Sequence, residues 1–284
     1  MVKAKITYGD LKRGAANMLA NANIETYTLD TRLLLERASG KTATELIICD
    51  HEVVPEAIQI IFHELLGQRL AYEPIAYIFG EKAFWSLSFM VNENVLIPRP
   101  ETEGLVERAL ELLASIPAPS ILDVGTGSGA ILISLLHERI SATGLGVDIS
   151  LEALEIASNN AKRHNVMSRC EFTQSDYLKN VTEKFDLIVS NPPYIDDAAM
   201  TKLPPDVDYY EPELALRGGK DGLTAYRAII SSISAALKPG GHLVLEIGFD
   251  QKKPVCELLY KAGAVDIICR QDLAGHDRII SAKF

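Results

Sequence analysis

Between Ile121 and Asp148 the order of residue types leaves few folds open. Ile121-Leu122-Asp123-Val124 is an apolar run of strand length, Gly125-Thr126-Gly127-Ser128-Gly129 is a glycine-rich turn, and Ala130 to Leu136 reads as an apolar helix. A second strand, Thr143 to Val147, closes on Asp148. Strand, helix and strand in that order make a βαβ unit, which demands a parallel sheet flanked by helices. Glycines at 125, 127 and 129 let main chain approach a ligand where side chains would block it. Asp148 ends the next strand, where a carboxylate can accept both ribose hydroxyls of an adenosine cofactor. A dinucleotide dehydrogenase shares such an acid, but its G-x-G-x-x-G spacing opens a helix onto a pyrophosphate. Here the spacing is G-x-G-x-G with Asp123 two residues ahead of it, a tighter turn suited to a cofactor with no phosphate to hold.

A second constraint lies in Phe185-Asp186-Leu187-Ile188-Val189-Ser190-Asn191-Pro192-Pro193-Tyr194. Its first half has the composition of a strand buried on both faces. Two consecutive prolines then fix the backbone, hold Asn191 extended and remove two successive N–H donors, so the wall they build offers acceptors only. A planar –NH2 group suits such a wall: one hydrogen to the Asn191 side-chain oxygen, the other to the Pro192 carbonyl, with the Tyr194 ring available to stack. An isolated Pro-Pro would more often merely end a strand. Together, Asp-x-Gly-x-Gly-x-Gly resembles motif I of the class I methyltransferases, and Asn-Pro-Pro-Tyr after an apolar strand resembles the active-site motif of the amino-methyltransferases that use S-adenosylmethionine.

The rest of the chain falls around these two motifs. Residues 3 to about 75 read as helical, with Thr7 and Asp10 spaced as a capping box, a helix ending near Gly40, a short helix near Thr44 and another opened by Pro55. His51 and His63 there read as surface or packing residues. Apolar residues at 85, 87, 89 and 91 alternate as in one half-buried strand, with Asn92-Glu93-Asn94 as a turn and Val95-Leu96-Ile97 returning, so a β-hairpin linker is expected. Pro98-Arg99-Pro100-Glu101-Thr102-Glu103 is a stiff, charged lead-in to a helix. Residues 195 to 222, rich in Asp, Pro, Glu and Gly, read as a long substrate-facing lid. A helix from Leu223 to Leu237, a tight Lys238-Pro239-Gly240-Gly241 turn, a strand from His242, a helix from about Gln251 and two final strands close the chain.

Composition narrows the function. A formal net charge of −10 disfavours broad nucleic-acid binding, and no apolar stretch is long enough to span a bilayer. The start of the chain, Met1 to Ile6, lacks the apolar core of a signal peptide, so a cytoplasmic address is expected. Cys49, Cys170, Cys256 and Cys269 are scattered with no paired spacing, which predicts buried, reduced thiols and no metal site.

Glu73-Pro74-Ile75-Ala76-Tyr77, Phe84-Trp85, Leu96-Ile97-Pro98-Arg99-Pro100-Glu101-Thr102-Glu103, Asp123 to Gly129 and Ser190 to Ile195 together resemble the HemK (PrmC) family of release factor glutamine methyltransferases over nearly the whole chain. The resemblance implies an α/β class I methyltransferase fold, Rossmann-like, with a mostly parallel seven-stranded sheet. It implies a small helical substrate-recognition domain over 1–80, a hairpin linker over 81–99 and the methyltransferase domain over 100–284. It further implies methyl transfer from S-adenosylmethionine, leaving S-adenosylhomocysteine, to the glutamine side-chain amide in the Gly-Gly-Gln loop of class-1 peptide chain release factors. Carried over by position, Gly125, Thr126, Gly127, Ser128, Gly129, Asp148, Asp176, Tyr177 and Asn191 would contact the cofactor, and Asn191, Pro192, Pro193 and Tyr194 the glutamine. The family often has Trp where this chain has Tyr177, and Asp176 could instead cap a turn. Two rivals share the Asn-Pro-Pro-Tyr logic: an enzyme methylating a glutamine of a ribosomal large-subunit protein, and a DNA adenine methyltransferase, against which the acidic charge stands. A monomer acting on a protein partner, with no membrane and no direct nucleic-acid contact, is expected.

Overall fold

The computed structural model describes residues 5–284; the first four, on which part of the reading of the amino terminus rests, lie outside the described residues. In chain order it has helices α1 (Tyr8–Asn21), α2 (Tyr27–Ser39), α3 (Ala43–Ile48), α4 (Glu56–Leu70) and α5 (Ile75–Phe79), then strands β1 (Glu81–Phe84) and β2 (Leu87–Met90). There follow α6 (Glu103–Leu112), β3 (Ser120–Val124), α7 (Ala130–Glu138), β4 (Thr143–Asp148), α8 (Leu151–Arg163), β5 (Cys170–Gln174) and β6 (Phe185–Ser190). The 195–222 segment holds β7 (Ile195–Asp196), α9 (Asp197–Met200), α10 (Pro205–Tyr210), α11 (Glu213–Leu216) and β8 (Arg217–Gly219). The chain ends with α12 (Thr224–Ala236), β9 (Leu237–Glu246), α13 (Lys252–Lys261), β10 (Val265–Gln271) and β11 (Asp277–Lys283).

Contacts divide the chain into two units, residues up to Phe79 with Pro205–Tyr210, and Gly80–Pro204 with Glu211–Phe284. In the helical unit, capping boxes at Thr7/Asp10 and Thr42/Glu45 start α1 and α3, and Gly40 ends α2 in the left-handed conformation at φ 68°. Leu19, Leu34, Leu35, Phe62 and Leu66 fill its core. A buried ion pair, Arg69 Nε to Asp30 at 2.7 Å, is completed by the Thr26 hydroxyl on the same carboxylate and by the Tyr72 and Glu73 carbonyls on the guanidinium. Helix α10 belongs here through Asp206 beside Arg69 and the Tyr210 hydroxyl on the Ala71 carbonyl.

The larger unit is built on a seven-stranded sheet of order β10-β11-β9-β6-β3-β4-β5, in which β9, β6, β3, β4 and β5 are mutually parallel and β11 is antiparallel to both its neighbours. Successive strand residues face opposite layers. Ile121, Leu187, Val189, Val244 and Ile279 pack with Leu105, Val106, Leu132 and Leu135 of α6 and α7 on one side. Leu122, Val124, Ile188, Leu243 and Leu245 pack with Tyr226, Ile229, Ile233, Val255 and Leu259 of α12 and α13 on the other. Burial on both faces is why these strands read as unbroken apolar runs.

Four expectations need correction. The chain does not run as one strand from 83 to 91: it turns back at Trp85-Ser86, because Phe84 pairs with Leu87. Trp85 takes φ 54°, which its N–H offsets by donating to the Glu103 carboxylate at 2.8 Å while the indole N–H reaches Glu138. Residues 195–222 are not a bare lid but carry three short helices and a parallel β7–β8 pair. Lys238-Pro239-Gly240-Gly241 is an irregularity within β9, where Phe185 pairs Leu237 but Leu187 pairs His242, with the Gly240 N–H turned out to the Phe284 carbonyl. The four cysteines are free, but Cys256 and Cys269 are only partly buried.

Candidate active site

From β3 the chain moves outward through β4 to β5, then returns to lay β6 on the other side of β3. That reversal leaves a crevice beyond the carboxyl ends of β3 and β6, the place where open α/β sheets bind ligands. The final pair of the β3–β6 ladder, Asp123 with Val189, puts the glycine turn and Asn191-Pro192-Pro193 side by side as they leave the sheet. The Ser190 hydroxyl donates to the Val124 carbonyl at 2.6 Å and locks the two exits together.

The glycine turn is folded back by main-chain bonds from Gly125 and Thr126 N–H to the Val147 carbonyl. Gly125 and Gly127 have φ of 72° and 54°, and a Cβ on either would meet nothing within 4 Å, so this rim is open and free of side chains. At Gly129 the reason for glycine differs: an added Cβ would sit 2.8 Å from Ile133 and 3.3 Å from Ala157, so this position serves the packing of α7 on α8. Asp148 accepts the Gly127 N–H on one oxygen at 2.9 Å and the Ser150 N–H on the other at 3.1 Å. Each oxygen keeps a lone pair for a further donor, and the carboxylate can hold two adjacent hydroxyls. Burial raises its pKa, against the pull of those N–H groups. Asp123 is fully buried and accepts the Thr126 hydroxyl at 2.7 Å, while its Oδ1 has no hydrogen-bond partner; burial pushes its pKa up to about 7. Open glycines, a half-buried carboxylate and the crevice together fit an adenosine cofactor with a free pair of ribose hydroxyls.

The proline rim is held from behind by residues distant in sequence. The Asn191 side-chain NH2 donates to the Thr102 hydroxyl at 3.2 Å, and that hydroxyl donates to Glu246 at 2.6 Å. Gln251 donates its side-chain NH2 to the carbonyls of Tyr194 and Gly222, and its oxygen accepts the Tyr226 hydroxyl and the Gly248 N–H. A Cβ at Gly218 would lie 2.8 Å from Tyr194 Cα, and one at Gly222, whose φ is 70°, would fall on the Tyr194 carbonyl. The glycine-rich end of the expected lid is thus a buttress for Tyr194. Burial, with Glu246 nearby, raises the pKa of the Tyr194 hydroxyl and keeps it neutral. The lead-in to α6 is tied down by a buried Glu211, which accepts the Ile97 N–H at 3.2 Å and the Arg99 guanidinium at 2.5 Å.

The structure therefore brings Gly125 to Gly129, Asp148 and Asn191 to Tyr194 to the same edge of neighbouring strands, with Asp176 and Tyr177 just past β5 at that edge. Thr126 and Ser128 are buried: the Thr126 hydroxyl is engaged by Asp123, and the Ser128 carbonyl accepts from Asn160, which also bonds both main-chain groups of Met90. Asp176 forms an ion pair with Lys179 across a tight turn, and Tyr177, at φ 50°, rests its ring against the core. Thr102, Glu246, Glu211, Gln251 and Asn160 were missed by sequence reasoning. Only Thr102 carried a signal, its place inside Ile-Pro-Arg-Pro-Glu-Thr-Glu. Among the described residues no group of three or more His, Cys, Asp or Glu is placed to hold a metal, and no helix is long and apolar enough to cross a membrane.

Known proteins resemble this chain along nearly its whole length. The family described as PrmC N-terminal domain matches residues 10–80, and the methyltransferase small domain matches residues 106–203. A release factor glutamine methyltransferase of Bradyrhizobium diazoefficiens is 44% identical over 96% of this chain and 93% of its own length. One from Caulobacter vibrioides is 41% identical over 94% of this chain and 92% of its own. Among solved structures, the hMettl16 catalytic domain in complex with an RNA hairpin superposes with a TM-score of 0.58 at 16% identity, covering 70% of this chain and 76% of that one, a likeness of fold alone.

Proposed function

The chain belongs to the release factor glutamine methyltransferase family, and on that premise we propose that it methylates the side-chain amide nitrogen of the glutamine in the Gly-Gly-Gln loop of class-1 peptide chain release factors. S-Adenosylmethionine supplies a methyl group on a positively charged sulfur, which an amide nitrogen can attack. Gly125 and Gly127 give it an open rim and Asp148 takes its ribose hydroxyls; Asp176 and Tyr177 line the adenine end.

The observation that carries this reading is the rim of Asn191-Pro192-Pro193-Tyr194, whose two prolines offer carbonyls and no N–H, beside the glycine turn. An amide nitrogen is a poor nucleophile because its lone pair is conjugated; complete loss of that conjugation costs ~18–20 kcal/mol. Asn191 Oδ1 and the Pro192 carbonyl accept the two amide hydrogens, at about 1.5–3 kcal/mol each when polarised, and draw the nitrogen toward a tetrahedral shape. Holding the nitrogen in line with the methyl carbon contributes up to ~7–11 kcal/mol in favourable cases and is the larger effect. The Tyr194 ring covers the amide plane. Asn191 is uncharged and no useful base, so the proton leaves after, or late in, methyl transfer.

The helical unit suits recognition of a protein substrate. A cavity there is lined by Ala16, Leu29, Leu46 and Ile47 with Lys12 and Arg32 among its lining residues, and Ile47 is 71% exposed. Incubation with methyl-labelled cofactor and, separately, a class-1 release factor, a ribosomal large-subunit protein and duplex DNA tests the proposal. Label is expected in the release factor, at the Gly-Gly-Gln glutamine. Label confined to either other acceptor would overturn the substrate.

A further inference from the structure

We infer that Thr102 and Glu246 are positioning residues that set which end of the Asn191 amide faces the substrate. The inference rests on the reading of Asn191 as the acceptor for the substrate nitrogen.

A carboxamide has two ends of nearly equal shape and opposite hydrogen-bonding character. Only with its oxygen forward can Asn191 accept a hydrogen from a substrate –NH2; with its NH2 forward it would repel that group. Asn191 itself has no preference, so the choice belongs to whatever lies behind it. Its neighbour there is the Thr102 hydroxyl at 3.2 Å. A hydroxyl can donate or accept, so alone it decides nothing. The next group does. Thr102 Oγ1 lies 2.6 Å from Oε2 of Glu246, at the carboxyl end of β9 and 1% exposed. An ionised carboxylate only accepts, so it claims the single hydroxyl hydrogen of Thr102. The hydroxyl is left with lone pairs toward Asn191, and only Nδ2 can meet them. Asn191 Oδ1 is thereby turned to the rim.

A merely structural role accounts poorly for Glu246. A buried carboxylate with a lone hydroxyl donor costs stability that glutamine or an apolar residue would spare. Thr102 is the one side-chain donor to it among the described residues. Charged and titratable groups around it are Arg99 and Glu101 before α6, Tyr194 of the rim, Tyr226 of α12 and Arg278 of β11. Burial pushes its pKa up to about 7, with the Thr102 hydroxyl and Arg278 opposing. Once protonated, Glu246 can donate to Thr102 and free that hydroxyl to donate to Asn191, so the direction of the chain is no longer enforced.

Steady-state transfer of labelled methyl to release factor, with cofactor binding by calorimetry, tests this on the full-length protein. Thr102→Val keeps the shape and removes the hydroxyl; kcat should fall roughly 10²-fold, the scale of a misplaced reacting group, with release-factor KM and cofactor Kd unchanged. Thr102→Ser, which restores the hydroxyl, should recover most of the loss. Glu246→Gln should lower kcat less and remove the rise of kcat with pH near 7. Wild-type kcat in Thr102→Val, a loss lying wholly in KM, or Thr102→Ser no better than Val would overturn the inference while leaving the substrate reading intact. Should Thr102→Val not fold, wild-type kcat and pH profile in Glu246→Gln overturn it instead. Absence of label in release factor with the wild-type protein would remove the substrate reading itself and this inference with it.

Discussion

The two halves of the crevice are made in opposite ways. The glycine turn is local: Asp123, Thr126 and Gly127 are bonded to one another or to Val147 and Asp148 on the adjoining strand, all within one βαβ unit. The proline rim is assembled from residues 99 to 102, 191 to 194, 211, 218 to 222, 246 and 251, and its key bonds span up to 144 positions. A local turn can be specified by glycine and one acid. A rim that must turn its acceptors to a ligand needs the groups behind it bonded, and so recruits distant chain.

That contrast predicts distinct failures in the two halves. Largest is Asn191→Ala: kcat should fall roughly 10²–10³-fold, as when a preorganised hydrogen-bonding group is lost at a reacting centre, while calorimetry finds cofactor affinity little changed. Transfer at the wild-type rate would remove Asn191 from the chemistry. Next comes Gly222→Ala, whose new methyl would strike the Tyr194 carbonyl. Overpacking costs roughly 1–3 kcal/mol in addition to the left-handed backbone strain, so both melting temperature and kcat should drop. An unshifted melting curve would show that the buttress is soft.

On the other side, Asp148→Ala should weaken cofactor binding by about 1.5–3 kcal/mol, the loss of a charged acceptor, and leave kcat at saturating cofactor near wild type. Unchanged affinity would place the ribose elsewhere. Gly125→Ala has open space for its methyl, so the cost is the backbone alone, about 1–2 kcal/mol, read as a smaller fall in melting temperature than for Gly222→Ala. Equal falls would erase the distinction between an open rim and a packed one.

A separate effect, spread over several pH units and small within any one of them, is in pH. Burial pushes Asp123 in one half and Glu246 in the other up to about 7. Each carboxyl ionises at lower pH unfolded than folded, so the folded state binds more protons between about pH 4 and 7. Stability contributed by the neutral form is therefore lost as pH rises through that window, by at most about 1.4 kcal/mol per pH unit per group. Urea unfolding at pH 5, 6 and 7 should show Asp123→Asn and Glu246→Gln each flattening this slope. A slope untouched by either would mean that both groups stay ionised throughout.

Much of the molecule was legible from residue order because it depends on short-range physics. The capping box at Thr7, the helix end at Gly40, apolar strands and the βαβ order each follow from a few adjacent residues. Alternation at 85, 87, 89 and 91 misled because it reports which face a residue takes, not where the strand reverses. The reversal at Trp85 depends on Glu103 and Glu138, residues no local pattern connects to it.

By itself the sequence determined a parallel α/β sheet, a glycine turn with its acid, and a rim with two successive prolines lacking N–H, since glycine, proline and burial on both faces act on neighbouring backbone. Tertiary structure alone decided that Thr102 stands behind Asn191, that Glu246 stands behind Thr102, and that Gly218 to Gly222 support Tyr194. Those contacts join segments separated by 24 to 144 positions, and only the strand order β9-β6-β3 brings their ends to one edge.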